Sequence, residues 1–218
     1  MLLRRSINLK GIAIAVLAAV VVAGCGASNK PKASKAETTE IGPDGQPVVA
    51  REVPPEVQTL YEQAVSVMAS GDYLEAQLRF QEFLLQYPEF PGAHVNLAII
   101  YANGGDEESA ENALTDALII DPENAVALNQ LGMLLRRQGK FPEAENAYLK
   151  AVEVDPDYEL AHYNLGVLNE LYMQDLVVAL QHYERYLELH GEDKQVQKWI
   201  KDLKRRIEIA QRTANVTE

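Results

Sequence analysis

The chain has one cysteine, one tryptophan and four histidines in 218 residues, and only 7% of it is aromatic. A single thiol cannot close an internal disulfide. With no second cysteine or ligand cluster near it, Cys25 also gives no sign of a redox pair or a metal site. His94, His162, His182 and His190 do not fall at ligand spacings, so no metal centre is expected. No serine or threonine lies in a nucleophile-elbow pattern, and no glycine-rich phosphate loop occurs. Basic residues are scarce, 20 Lys and Arg against 32 Asp and Glu. That balance argues against nucleic acid, whose phosphates require a basic footprint. No cofactor is implied, and the chain is not expected to be an enzyme; its many carboxylates read as solvated helix surface.

Long apolar runs are also missing. The longest is "GIAIAVLAAVVVA", residues 11–23, behind Arg4, Arg5 and Lys10. It is too short to span the roughly 30 Å hydrocarbon layer comfortably, and a basic segment before a short apolar core fits an export signal. The four residues "VAGC", Val22 to Cys25, resemble the bacterial lipobox. That resemblance implies cleavage before Cys25, acyl chains such as palmitate on its sulfur, and acylation of the new N-terminus. Two or three such chains hold a protein on a membrane stably, as one does not. In lipobox proteins an aspartate after the cysteine favours retention in the inner membrane. Gly26 stands there, which implies the outer membrane, with the folded part facing the periplasm. A spanning, uncleaved start with an incidental cysteine is the other reading.

Residues 1–24 are thus expected to be a signal peptide, and 25–55 the lipidated cysteine and a flexible tether. Residues 26–55 carry four basic and four acidic side chains and show no helical or strand period. Beyond them the charge changes. Residues 56–193 hold 6 basic and 25 acidic side chains, whereas residues 194–218 hold 7 and 3.

An internal period organises residues 56–193. Pro88, Pro122 and Pro156 stand in equivalent phrases, "LLQYPEF", "LIIDPEN" and "VEVDPDY", 34 residues apart. The units are 57–90, 91–124, 125–158 and 159–193. Each reads as two helices, with a small residue on the first (Ala64, Ala98, Gly132, Gly166) and larger apolar ones on the second. Gly71, Gly105 and Gly139 mark the turn between them. The stretches "NLAIIYANGGDEESAENALTDALIIDP", "QLGMLLRRQGKFPEAENAYLKAVEVDP" and "NLGVLNELYMQDLVVALQHYERYLELH" resemble the tetratricopeptide repeat family. The resemblance implies an all-α, right-handed superhelical solenoid of helix pairs. The fourth unit departs from it, with Met173 where the turn glycine would be, no final proline and a second helix shifted by one. An altered helix angle is expected there. Residues 194–212, with Val196, Trp199, Ile200, Leu203 and Ile207 on one face, read as a basic C-terminal capping helix, or as a membrane- or partner-binding one.

The resemblance further implies a concave surface lined by the first helices. The tentative partner-binding set is Tyr61, Asn96, Asn129, Gln130, Met133, Arg136, Arg137, Tyr163, Asn164 and Glu170. The amides Asn96, Gln130 and Asn164 recur every 34 residues, free to meet a peptide backbone or bonded to neighbouring helices. His94 and His162 are expected to pack between helices. The lysine–asparagine clamp with which one subset of the family grips a C-terminal carboxylate is absent. Tyr61, Val95, Asn129 and Tyr163 stand at its lysine position, and Val65, Ile99, Met133 and Val167 at its asparagine position. Arg136 and Arg137 either meet a partner carboxylate or pair with nearby glutamates.

The expected function is a non-catalytic, lipid-anchored adaptor of the cell envelope that binds a partner peptide or helix. Its layout looks like that of lipoproteins serving pilus, secretion, transport or peptidoglycan machinery, the pilus-assembly ones by size above all. A self-associating structural lipoprotein, forming homo-oligomers, is one alternative. A peptidoglycan-modifying enzyme is the other.

Overall fold

The computed structural model describes residues 54–216, all of them in helices and short connections. The signal segment, Cys25 and most of the tether lie outside the described residues. Four helix pairs follow one another. They are α1 (Pro55–Ser70) with α2 (Tyr73–Gln86), α3 (Pro91–Gly104) with α4 (Glu107–Ile120), α5 (Ala125–Arg137) with α6 (Phe141–Val154), and α7 (Glu159–Leu168) with α8 (Leu176–His190). A final helix, α9 (Lys194–Val216), packs on α8. Each helix packs on its partner, and α5 also packs on both α3 and α7, so the pairs stack into an all-α solenoid closed by the last helix. Among the described residues there is no strand, and no helix is long and apolar enough to cross a membrane.

Local chemistry sets the breaks. Asp72 and Asp106 accept a hydrogen bond from the backbone N–H three residues on, at 3.1 Å each, and so satisfy an orphan donor at the start of α2 and α4. Pro55 and Pro91 occupy the first turns of α1 and α3, where a missing N–H costs nothing. Between the helices of the first three pairs the chain passes through φ of 90°, 83° and 75° at Gly71, Gly105 and Gly139, a region that disfavours any Cβ.

The fourth pair breaks this pattern in a definite way. Asn169–Met173 form a π-helical turn, and the left-handed residue is Gln174, at φ 59°. The sequence register put this turn at Met173; the structure places it one residue later. A π turn accommodates one additional residue within a helix, which is the length by which the fourth unit exceeds the others. After it the register resumes, with Asp175 capping α8 through Val177 N–H and Val178 N–H.

Within each pair a small residue faces a large one. A Cβ on Gly132 would lie 2.5 Å from the Tyr148 ring, and one on Gly166 the same distance from the Tyr183 ring. In the first two pairs the matching seats hold Ala64 with Phe80 and Ala98 with Leu114, all buried in one cluster. At the far end, Trp199 of α9 lies 5.6 Å from Tyr183 and 6.2 Å from Tyr163, ring centre to ring centre, in a cluster with Tyr186, Leu187, Val196 and Leu203. Burial of those rings and aliphatic chains, at roughly 25 cal/mol per Å², is what holds the last helix to the array.

Gly132→Ala is expected to lower the unfolding free energy by about 1–3 kcal/mol, the usual range for overpacking. In a Tyr148→Leu background, which reproduces the alanine–leucine pair of the second unit, the same change should cost under about 1 kcal/mol. Denaturant midpoints of the four proteins measure the difference, and equal losses in both backgrounds would rule out the ring as the obstacle.

Candidate functional site

The first helices present their side chains in two sets. One set is consumed in bonds between neighbouring pairs. Asn96 Nδ2 donates to the Tyr61 hydroxyl at 2.9 Å, and Gly92 leaves the room that hydroxyl needs, since a Cβ there would lie 2.8 Å from it. Asn164 Nδ2 donates to Asn129 Oδ1 at 2.9 Å, with both residues buried. Asn129 is 1% exposed and so faces the next helix, not the concave surface. Tyr163 lies among Tyr183, Tyr186 and Trp199. Glu170 Oε1 accepts from Arg206 of α9 at 2.9 Å, and its other oxygen accepts from the Tyr183 hydroxyl at 3.2 Å. Burial, and then the Glu170 charge, push the Tyr183 phenol far above its usual range, so it stays a donor.

The second set lines one depression. Gln130, Met133, Arg136 and Arg137 of α5 meet Ala98 and Ile99 of α3 around a cavity of about 170 Å³. The wall is apolar along Ala98, Ile99 and Met133 and cationic at one end. Arg137 is tied down there, since its Nη1 donates to the Ala102 carbonyl at 2.9 Å and its Nε lies 3.6 Å from Glu107. Arg136 lies with its guanidinium carbon 5.9 Å from the centre of the Tyr172 ring, a cation–π arrangement. Of the amides 34 residues apart, Gln130 alone lines this cavity; Asn96 and Asn164 bridge helices.

Sequence reasoning passed over two participants. Tyr172 lies in the π turn, where the repeat pattern fails, so no register pointed to it. Arg206, one of the basic side chains of α9, reaches Glu170, 36 residues back along the chain, a pairing that no repeat spacing marks.

The histidines act between helices. His94 Nε2 lies 2.9 Å from the Pro88 carbonyl, and His162 Nε2 lies 3.1 Å from the Pro156 carbonyl. Two histidines one double period apart thus bond back to the proline that ends the preceding pair. A carbonyl only accepts, so His162 Nε2 carries a proton. His162 Nδ1 and His182 Nδ1 lie 3.1 Å apart, a hydrogen bond in which one ring donates and the other accepts. Among the described residues, no group of three or more His, Cys, Asp or Glu could hold a metal ion.

The fold and these sites invite comparison with known proteins. Models described as tetratricopeptide repeat match residues 61–125 and 113–146, and one described as TPR repeat matches 132–171. No curated protein matches the chain. Among solved structures, pilF of Pseudomonas aeruginosa is similar at 24% identity and a TM-score of 0.63, over 72% of this chain and 72% of that one. MamA from Desulfovibrio magneticus RS-1 is similar at 18% identity and a TM-score of 0.59, over 75% and 92%. The first repeat domain of Spaghetti (RPAP3), bound to the HSP90 peptide SRMEEVD, is similar at 23% identity and a TM-score of 0.51, over 54% and 94%.

Burial, and then the neighbouring His162, lower the His182 imidazole from 6.5 to about 4. The unfolded chain binds that proton near 6.5 and the folded chain only near 4, so the stability tied to neutral His182 is lost as pH falls through that window. His182→Gln is expected to flatten the decline of the thermal midpoint between pH 6.5 and 4, whatever its offset at pH 7.5. An unchanged slope in the variant would remove His182 as the cause.

Proposed function

This chain is a tetratricopeptide-repeat protein across residues 61–171, and we propose that it is a lipid-anchored adaptor of the bacterial cell envelope whose concave face holds a peptide or helix of a partner protein. The observation that carries the reading is the row of packed first helices with one open depression on it, apolar on its floor and cationic at its end. The array is a non-catalytic scaffold of helix pairs, and protein contacts are what such a surface offers. An apolar wall with an amide and a guanidinium suits a protein segment better than a small anion. The Spaghetti (RPAP3) repeat domain, of the same fold, is bound to a peptide, which supports the reading without fixing the partner. The lysine–asparagine clamp is missing here, so a different kind of segment is expected in this groove.

The anchor belongs to the same proposal. Cleavage before Cys25 and acylation of it would tie the four units, 57–90 to 159–193, and their cap at 194–212 to the periplasmic face of the outer membrane, on a tether of some 30 residues. Tethering raises the local concentration of whatever the groove holds. The layout of anchor, tether and repeats suits an envelope assembly such as a pilus or secretion machine.

Two substitutions separate the parts of this proposal. Met133→Glu puts a charge on the apolar wall and is expected to abolish recovery of the partner in pull-downs from solubilised envelope, while the circular dichroism spectrum remains that of a folded helical array. Cys25→Ser is expected to release or mis-process the protein while leaving the repeats folded. Membrane association of Cys25→Ser that survives a high-salt wash would instead favour the uncleaved helix.

A further inference from the structure

The outer face of α9 carries a row of cations that the packing of the array does not use. Val196, Trp199, Ile200 and Leu203 turn one side of the helix into the last apolar cluster. On the opposite side Lys194, Lys198, Lys201, Arg205 and Arg212 follow at spacings of four, three, four and seven, in one line about 27 Å long. All five are exposed, and the exposed Ile209 stands in the same line between the two arginines. Arg205 and Arg212 are paired with Asp202 and Glu208, while Lys204 and Arg206, off the line, meet Glu184 and Glu170. Among the described residues Lys194, Lys198 and Lys201 make no ion pair, although residues 56–193 carry 25 acidic side chains. Lys198, Lys201 and Arg205 border one shallow recess with Asp202, a recess lined by α9 alone. Lys140 and Lys150 are unpaired as well, but they stand apart, in a stretch that also holds Glu143, Glu145 and Glu153.

We propose that this row is a docking face for an anionic lipid surface, with α9 lying along the bilayer and Ile209 at the level of the headgroups. The proposal rests on the lipid-anchored reading above, which brings a membrane within reach, and not on the groove. Three features select a lipid surface over a protein segment. The row lies on one side of a single helix, with no facing wall among the described residues, and so matches a plane of charges. Its unpaired members are lysines, point charges that meet a phosphate in any orientation, whereas a fixed planar anion favours the arginine fork. An apolar side chain exposed within a cationic helix face is the pattern of helices that lie in a membrane interface. Charge then sets the orientation. Repeats with 6 basic and 25 acidic side chains are repelled by the lipids that attract α9, so the cap turns toward the membrane and the repeats away from it. On an anchored chain even a weak ionic contact of this kind becomes intramolecular and persists.

The test measures partitioning of the full chain carrying Cys25→Ser, so that no acyl chain contributes, onto two kinds of vesicle. One is phosphatidylcholine, the other an equal mixture of phosphatidylcholine and phosphatidylglycerol. Residues 1–24 are common to every arm and cancel in the ratios. The parent is compared with Lys194→Gln/Lys198→Gln/Lys201→Gln, with Lys194→Glu/Lys198→Glu/Lys201→Glu and with Lys140→Gln/Lys150→Gln. A lysine at an anionic surface is worth about fivefold, so the triple glutamine variant should bind the mixed vesicles about a hundredfold more weakly, with phosphatidylcholine binding unchanged. The glutamate variant should fall further, the Lys140/Lys150 variant should match the parent, and high salt should remove the parent's preference for the mixed vesicles. Circular dichroism checks that each variant keeps its helices, and Lys198→Gln alone, expected to lose about fivefold, serves if a triple variant misfolds. An equal preference for the mixed vesicles in the parent and the glutamine variants overturns the docking face. So does an equal loss in the Lys140/Lys150 variant, which would assign the effect to net charge. Salt-sensitive dimers without lipid that the glutamate variant abolishes, in a chain that shows no vesicle preference, overturn it in favour of a second copy. The anchor is read separately, by mass spectrometry of the wild-type chain extracted from membranes: an unacylated Cys25 removes the anchored reading, while the vesicle ratios still decide the face.

Discussion

The contact on which the array depends is the small residue of each first helix pressed against a large one on its partner. Where the second helix presents a tyrosine, the first presents a glycine, as in Gly132 with Tyr148 and Gly166 with Tyr183. Where it presents phenylalanine or leucine, an alanine suffices. This seam sets how closely two helices approach. The approach then sets the angle at which α5 lies against α3 and α7, and so the surface that the first helices form together. The proline-ended second helices and the histidine bonds to Pro88 and Pro156 fix how one pair follows the next.

The end of the array is closed by different chemistry. The π turn at Asn169–Met173 absorbs one extra residue and carries Tyr172 to the edge of the groove. Arg206 of the last helix meets Glu170 of that turn, so a basic helix neutralises the acidic surface at the point where the repeats stop. The cap thereby does two jobs. Its apolar face covers Tyr183 and Tyr186, and its charge satisfies a carboxylate that is only 14% exposed.

Much of the fold was legible because it repeats. A 34-residue period with prolines, turn glycines and small residues in phase constrains helix boundaries and buried faces together. Ala76, Ala110, Ala144, Phe80 and Tyr148 are buried as the pattern requires. The candidate site was legible only in part, because position in a repeat says which face a residue occupies and not which atom it bonds. Asn96 and Asn164 sit on the first helices as read, but each donates to a neighbouring helix. Gln130, with the same spacing, lines the depression. The difference lies in what stands opposite: a tyrosine hydroxyl for Asn96 and an asparagine carbonyl for Asn164.

By itself the sequence determined an all-α array of helix pairs with a final helix. Period, helix breakers and apolar spacing are local properties that each unit states separately. Only the tertiary structure decided which polar groups remain for a partner, because that depends on partners 20 to 36 residues away. His162 meets His182, Glu170 meets Arg206, and Arg136 lies against Tyr148 and Tyr172 with no carboxylate paired to it among the described residues. A charge left without a counter-charge is a property of the packed assembly, since any of the many acids in the chain could have reached it until the helices fixed their distances.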